Sequence, residues 1–348
     1  MNRKTVYFTA PRQVELREEP LPALKDDEVL VETQCSAISA GTEMLVYRGQ
    51  FPQIIDSHDT VSSDLSYPLA YGYACVGIIR ETGKQVDRGL RDRVVFGFHP
   101  HASAFIAHPS SLIFPPASLS ADNISWWETC SFLPNMETAV NLVQDAAPVL
   151  GERVLVIGQG VVGLLVASLL KEFPLELLVT SDQYVLRRKA SLELGVDDSF
   201  DPEVLTNKSE KAITSATHQF AYAQNFDLIF ELSGSPAALN DAIALTAFDG
   251  RIIIGSWYGE KKAPIDLGGV FHRSRIKLIS SQVSTIAPGL SGRWDKARRF
   301  GVAWEALKRI QPQKWITHRF PIEQAEKAYQ LLDENPQETI QVILEYKS

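Results

Sequence analysis

The sequence predicts an α/β protein in which a doubly wound parallel sheet is flanked by a β-rich segment before it and mixed structure after it. Three observations carry this. From about residue 135 onward, short apolar strands alternate with helix-forming runs, the spacing of parallel strands joined by crossover helices. Before that point the apolar runs are short, alternating or broken by Pro and charge, as in antiparallel structure. Between them, Val154-Leu-Val-Ile-Gly158-Gln-Gly160-Val-Val-Gly163 reads as a buried strand, a tight glycine turn and a helix start.

The elements follow in order. Lys4–Thr9, Gln13–Arg17, Glu28–Thr33, Cys75–Glu81 and Arg93–Phe96 are strand candidates. Gly49–Pro68 is long, polar and contains proline, which predicts a loop or lid. Met136–Ala147 reads as an amphipathic helix. Strands are expected at Val154–Ile157, Leu177–Thr180, Asp227–Glu231, Arg251–Ile254 and Ile276–Ser280, with helices at Gly163–Glu172, Leu186–Leu194 and Ala237–Thr246. Helices near Arg293–Ile310 and Ile322–Glu334 and a last strand at Ile340–Tyr346 complete the chain. The expected division is residues 1–134 with 286–348 as a discontinuous domain, and 135–285 as a second domain.

Composition narrows the class. With 348 residues, 45% hydrophobic and 22% charged, the chain is long enough for two well-buried cores. The three cysteines (Cys35, Cys75, Cys130) are widely spaced without a CxxC pair, so neither a disulfide framework nor a zinc knuckle is indicated. The formal net charge of −8 argues against nucleic acid as a partner. No apolar run reaches the roughly 18 residues that span a bilayer, and Met1-Asn-Arg-Lys-Thr-Val leads into a strand-like run rather than a signal peptide. A cytoplasmic protein without membrane partners is the expectation.

The glycine run has a definite chemistry. Gly158 permits the turn, Gly160 lets backbone approach a pyrophosphate, and Gly163 lets helix and strand pack closely. Val161 and Val162 open the helix whose N-terminus then faces the phosphates. Asp182 follows the next apolar strand, nineteen residues after Gly163, close to the spacing at which a carboxylate takes the adenosine ribose hydroxyls and repels a 2′-phosphate. NAD is therefore expected as cofactor, ahead of NADP. Arg187 and Arg188 lie just beyond, where arginines can bind the extra phosphate. Ser233 and Gly234 in Glu231-Leu-Ser-Gly-Ser235, and Gly255 and Ser256 in Gly255-Ser-Trp-Tyr-Gly259, end the following strands and are expected at the nicotinamide side. Phe271-His-Arg-Ser-Arg275, Arg293 and Arg298-Arg299 form a basic stretch that either is solvated surface, the preferred reading, or meets a carboxylate or phosphate on the substrate or cofactor.

The whole chain resembles the medium-chain dehydrogenase/reductase superfamily, relatives of the zinc alcohol dehydrogenases. The order of a β-rich domain, Arg93-Val-Val-Phe96, the strand–glycine-turn unit and Ile316-Thr-His-Arg-Phe-Pro-Ile322…Ala328-Tyr carries the likeness. It implies a GroES-like catalytic domain and a Rossmann domain. Ser36-Ala-Ile-Ser-Ala-Gly-Thr-Glu43, Tyr71-Gly-Tyr-Ala-Cys-Val-Gly77 and Asn135-Met-Glu-Thr-Ala139 look most like the bacteriochlorophyllide a dehydrogenase type. The zinc ligands of the superfamily are not matched. The first falls on Ala40 or Ser39, the Gly-His-Glu motif reads Gly72-Tyr73-Ala74, and the third falls on Leu133 or Cys130. Zinc needs several Cys, His or carboxylate donors together, so no metal is expected.

Without zinc, side chains must polarise the substrate oxygen and move its proton. Thr42 aligns with the hydroxyl that relays the proton in the zinc enzymes; otherwise it is a turn-forming threonine. Glu43 is read as orienting a donor or as structural. Tyr73 stands in for a ligand histidine, either aimed into the vacated metal pocket or packed. His99 and His101, in Phe98-His-Pro-His101, are acid/base candidates or solvated loop histidines. Glu137 either faces the cofactor or is favoured by a helix N-terminus. The leading reading is a zinc-independent NAD(P)-dependent oxidoreductase interconverting a secondary alcohol and a ketone. The resemblance suggests a bulky hydroxyethyl-type substrate, which the Gly49–Pro68 lid would suit. The rivals are a reductase of quinones or activated alkenes, which needs no zinc, and a nucleotide-binding protein without catalysis. A homodimer paired through an exposed edge strand near Ile276–Ser280 is expected.

Overall fold

The computed structural model describes residues 2–51, 65–116, 125–206 and 226–346. Most of the Gly49–Pro68 lid expectation falls on residues 52–64, outside the described residues. The chain divides into two compact units, Met1–Pro134 with Leu307–Ser348, and Asn135–Ala306.

The first unit begins with β1 (Asn2–Ala10), β2 (Gln13–Pro20), β3 (Val29–Ile38), β4 (Leu69–Ala70), β5 (Cys75–Thr82), β6 (Val94–Gly97), β7 (Ala104–Ala107) and β8 (Leu112–Ile113). A short helix, Thr42–Arg48, follows β3. The second unit carries β9 (Arg153–Ile157), β10 (Leu177–Ser181), β11 (Asp198–Phe200), β12 (Phe226–Glu231), β13 (Thr246–Ile254) and β14 (Lys277–Ser280). The chain then returns to the first unit with β15 (Ile316–Pro321), the Ala325–Glu334 helix and β16 (Gln341–Glu345).

In the first unit β2, β1 and β4 form one sheet, and β15-β16-β3-β5-β6-β8 form a second with β7 on β3. β16 pairs antiparallel with β3, Val342 opposite Ile38, so the last strand joins the sheet that β3 begins. Val29, Val31, Cys75, Ile79, Val95, Phe105 and Leu112 fill its core. In the second unit the sheet order is β11-β10-β9-β12-β13-β14, all parallel. β10 is buried at every position, as expected of a strand covered on both faces. The order reverses between β9 and β12, the switch point where doubly wound sheets bind ligands. The expected α/β fold, a β-rich part and a doubly wound parallel sheet, is what the structure contains.

Three details differ from expectation. β11, only three residues long, is a strand the periodicity does not reveal; it pairs with Val179–Ser181. β13 starts at Thr246 rather than Arg251 because Thr246 already pairs with Phe226. Residues 286–306 cluster with the parallel-sheet unit, and Arg299 supplies the reason. It is fully buried rather than solvated. Its guanidinium donates to Glu137 Oε1 (2.7 Å), Asn141 Oδ1 (2.6 Å) and the carbonyls of Thr285 (3.0 Å) and Val283, fastening this segment to the Leu133–Ala146 helix.

Candidate active site

The candidate nucleotide site of the parallel-sheet unit is built mostly from backbone. At Gly158, φ is +91°, and an added Cβ would meet the Leu232 carbonyl at 2.6 Å. At Gly163 a Cβ would sit 1.9 Å from the Gly158 carbonyl oxygen. Both positions therefore require glycine, one for its conformation and contact, the other for contact alone. Gly160 caps the Val161–Leu170 helix, and a Cβ there would meet nothing within 4 Å. The turn is thus tight beneath and open above, in front of helix amides that have no intrahelical acceptor. That space at a helix N-terminus fits a pyrophosphate.

Asp182 is tied into the same turn. One carboxylate oxygen accepts from Gln159 N–H (2.7 Å) and the other from Tyr184 N–H (2.8 Å). The two arginines beyond it differ. Arg187 lies over the Tyr184 ring at 4.8 Å and 3.9 Å from the Asp182 carboxylate. Arg188 is spent on structure, donating to the Asp182 and Gln183 carbonyls (2.7 and 2.9 Å) and to Asp201 (2.8 Å).

The loops after β12 and β13 are joined to each other. Gly234 N–H donates to Ser256 Oγ (2.9 Å) and Gly255 N–H to the Glu231 carbonyl (3.1 Å). Gly255 is required by packing, because a Cβ would lie 2.6 Å from both Leu142 and Leu232. The fully buried Glu231 side chain accepts from Ser233 and from Tyr258. Burial and the Glu231 carboxylate push the Tyr258 phenol above its ordinary range.

The β-rich unit carries a cluster of its own, built from side chains. Thr42 begins its helix with its N–H directed at Ser39 Oγ (3.3 Å). The Tyr73 hydroxyl lies beside the Ser39 and Thr42 side chains; burial and the Glu43 charge push it up to about 12. Glu43 has no exposed surface and takes Ser39 N–H on one oxygen (2.9 Å). Its other oxygen accepts from the Tyr329 hydroxyl (2.6 Å) and meets His101 Nε2 (2.9 Å). His101 Nδ1 reaches Ser36 Oγ (2.7 Å), which bonds the Tyr346 hydroxyl (2.7 Å). Gly72 is pressed against this histidine, since a Cβ there would meet the ring at 2.6 Å.

Thr42, Glu43 and Tyr73 are thus brought together around Ser39. His99 is not. It stacks on Phe105 at 4.3 Å and donates from Nδ1 to the Pro100 carbonyl (2.8 Å), and burial lowers its pKa, which favours the neutral ring. Its neighbour His101 is the histidine of the cluster. Glu137 belongs to the other unit, where it is paired with Arg299 (2.7 Å). Ser36, Tyr329 and Tyr346 are cluster members that sequence reasoning does not single out. Nothing local marks them, because Tyr329 lies 286 residues from Glu43 and Tyr346 lies 310 from Ser36.

The donor set does not fit zinc. Ser39, Ala40, Tyr73, Ala74 and Leu133 offer none of the usual ligands, and Cys130, the other position for the third, is a single donor. Among the described residues no group of three or more His, Cys, Asp or Glu side chains is arranged to hold a metal. The three cysteines are buried and free, and burial pushes their thiols up, to about 12 at Cys75.

Comparison with known proteins agrees with this architecture. The zinc-binding dehydrogenase family profile matches residues 161–302. L-threonine 3-dehydrogenase of Legionella pneumophila (strain Corby) is 22% identical, over 91% of this chain and 92% of its own. An alcohol dehydrogenase of E. coli CFT073 solved with NADH superposes with a TM-score of 0.74 at 17% identity, covering 99% of both chains. A Sinorhizobium meliloti 1021 protein solved with NADP gives 0.73 at 16% identity, again over 99% of both chains.

Proposed function

We propose, from the premise that this chain belongs to the medium-chain dehydrogenase/reductase superfamily, that it is a zinc-independent, NAD-preferring oxidoreductase interconverting a secondary alcohol and a ketone. The observation that carries this reading is the Tyr73 phenol, set beside the Ser39 and Thr42 side chains where the zinc relatives carry ligands.

Gly158, Gly160, Val161, Val162 and Gly163 would hold the pyrophosphate, Asp182 the adenosine ribose, and Ser233, Gly234, Gly255 and Ser256 the nicotinamide side. When bound, the nicotinamide accepts or donates the hydride. The protein's part is to handle the proton. With its pKa near 12, Tyr73 keeps its proton across the neutral range. In the ketone direction it donates a hydrogen bond, and finally the proton, to the substrate oxygen. The Thr42 hydroxyl, beside Tyr73, would pass a proton from solvent back to the phenolate. In the alcohol direction the path reverses. Glu43 and His101 hold the Ser39 turn and Gly72, and so hold Tyr73 from both sides. A bulky substrate of the hydroxyethyl type and a cytoplasmic location are part of the proposal. So is a homodimer formed through β14, the edge strand of the six-stranded sheet.

The test is a fluorescence titration of metal-analysed protein with NADH and NADPH, then a screen of secondary alcohols with the better cofactor. Tight NADH binding and turnover by metal-free protein are expected. Stoichiometric zinc whose removal abolishes turnover would sink the zinc-independent reading. Preferred NADPH would shift weight from Asp182 to Arg187, and no nucleotide binding would end the oxidoreductase reading.

A further inference from the structure

Glu231 ends β12 at the switch point of the sheet, level with Ile157 on one side and Ile254 on the other. It has no exposed surface. Buried carboxylates are ordinarily paired with a cation, yet each donor described for this one is neutral. They are the Ser233 N–H (2.8 Å), the Ser233 hydroxyl and the Tyr258 hydroxyl. The Ser233 hydroxyl itself accepts from Ser235 N–H (3.1 Å), which leaves its proton for Glu231. The carboxylate is therefore held by dipoles that steady its charge without cancelling it.

Its position gives that charge a target. A dinucleotide crosses the switch point with one mononucleotide on each side. The glycine turn and Asp182 occupy the β9–β10 side, which leaves the ends of β12 and β13 for the nicotinamide mononucleotide. The Glu231 loop touches the glycine turn directly, since a Cβ on Gly158 would lie 2.7 Å from Ser233 Cα. The oxidised nicotinamide ring carries a positive charge and the reduced ring carries none. A fixed negative charge nearby, in a site poorly screened by solvent, stabilises the first and not the second.

We propose that Glu231 sets the preference of this protein between oxidised and reduced cofactor, favouring NAD⁺, with Ser233 and Tyr258 as the residues that position it. The inference rests on the reading of the chain as a nicotinamide-dependent oxidoreductase, but its test needs no substrate.

Equilibrium dissociation constants for NAD⁺ and NADH are measured by calorimetry on wild type, Glu231→Gln and Tyr258→Phe. Glu231→Gln keeps the shape and removes the charge, so the ratio of the two constants is expected to move about tenfold toward NADH. Tyr258→Phe keeps the charge and removes a dipole that steadies it, so the ratio moves the other way, toward NAD⁺. If both variants change the two constants by equal factors, Glu231 is a structural clamp and the proposal is overturned. Should Glu231→Gln fail to fold, the sign of the Tyr258→Phe shift decides alone. Wild type that binds neither nucleotide would overturn the underlying reading instead, an outcome distinct from an unchanged ratio.

Discussion

The two units bury charge in different ways. In the parallel-sheet unit Glu137 meets Arg299, a group that never gives up its proton, and the pair is locked by Asn141 and two backbone carbonyls. In the β-rich unit Glu43, equally buried, meets a histidine and a tyrosine hydroxyl, which can share or exchange protons, and one backbone amide, which cannot. A permanent ion pair is suited to holding a segment in place. A carboxylate among titratable and hydroxylic partners is suited to adjusting where protons sit. The second kind lies beside Tyr73, whose phenol Glu43 helps push upward. One unit thus buries its carboxylate against a fixed cation and the other among hydroxyl and imidazole groups, which is the division of labour that the proposed function requires.

The sharpest break in this contrast is Arg299→Met. It leaves Glu137 buried without its cation, which costs about 3–5 kcal/mol when one partner of a buried pair is removed. Chemical denaturation is expected to show that loss; a change below about 1 kcal/mol would mean that the pair is not a structural lock. Tyr73→Phe tests the other side. Turnover is expected to fall about 100-fold or more, the usual contribution of a positioned acid or base, while NADH binding stays unchanged. Retained turnover would remove Tyr73 from the proposed chemistry.

How much of this was legible beforehand follows from the distance between partners. The glycine turn is local: Gly158 to Gly163 are six consecutive residues, and Asp182 reaches Gln159 across 23. Strand periodicity and glycine chemistry are enough to name them. Glu43, Thr42 and Tyr73 could be named by residue type and resemblance, but not their arrangement, because Tyr329 and Tyr346 come from the far end of the chain. The choice between His99 and His101 turns on which ring faces Gly72 and which stacks on Phe105, a difference of side-chain direction two residues apart on an irregular segment. Arg299 was misread for a related reason. A basic stretch looks solvated unless the carboxylate that neutralises it, 162 residues away, is known to be its partner.

A smaller effect separates charge from shape at the proton-handling centre. Glu43→Gln keeps the volume but offers one acceptor oxygen where the carboxylate offers two, so either Ser39 N–H or the Tyr329 hydroxyl, which sit on different oxygens, loses its acceptor, and the change is expected to cost about 1–3 kcal/mol. The same change removes the negative charge that raises the Tyr73 pKa. The phenol should then titrate lower, measurable as a shift of the tyrosinate absorbance that Tyr73→Phe deletes. If the Tyr73 titration does not move, Glu43 positions the turn without tuning the phenol.

The effect narrowest in pH is on alkaline stability. An exposed tyrosine loses its proton near pH 10, whereas Tyr73 in the fold does so near 12. Between these values the unfolded chain has released a proton that the folded chain still holds, so the unfolded state binds fewer protons and stability falls as pH rises. The contribution is fully present below pH 10 and is lost by about pH 12. Tyr329 and Tyr346, raised well above the ordinary value by burial, add the same sign over a wider window. Tyr73→Phe is therefore expected to make the alkaline limb of stability against pH shallower between about 10 and 12, without changing its slope near neutrality. Arg299→Met should lower the whole curve and leave that slope alone. Parallel curves for wild type and Tyr73→Phe would show that the phenol is not held protonated by the fold, and the contrast between the two units would lose its proton-handling side.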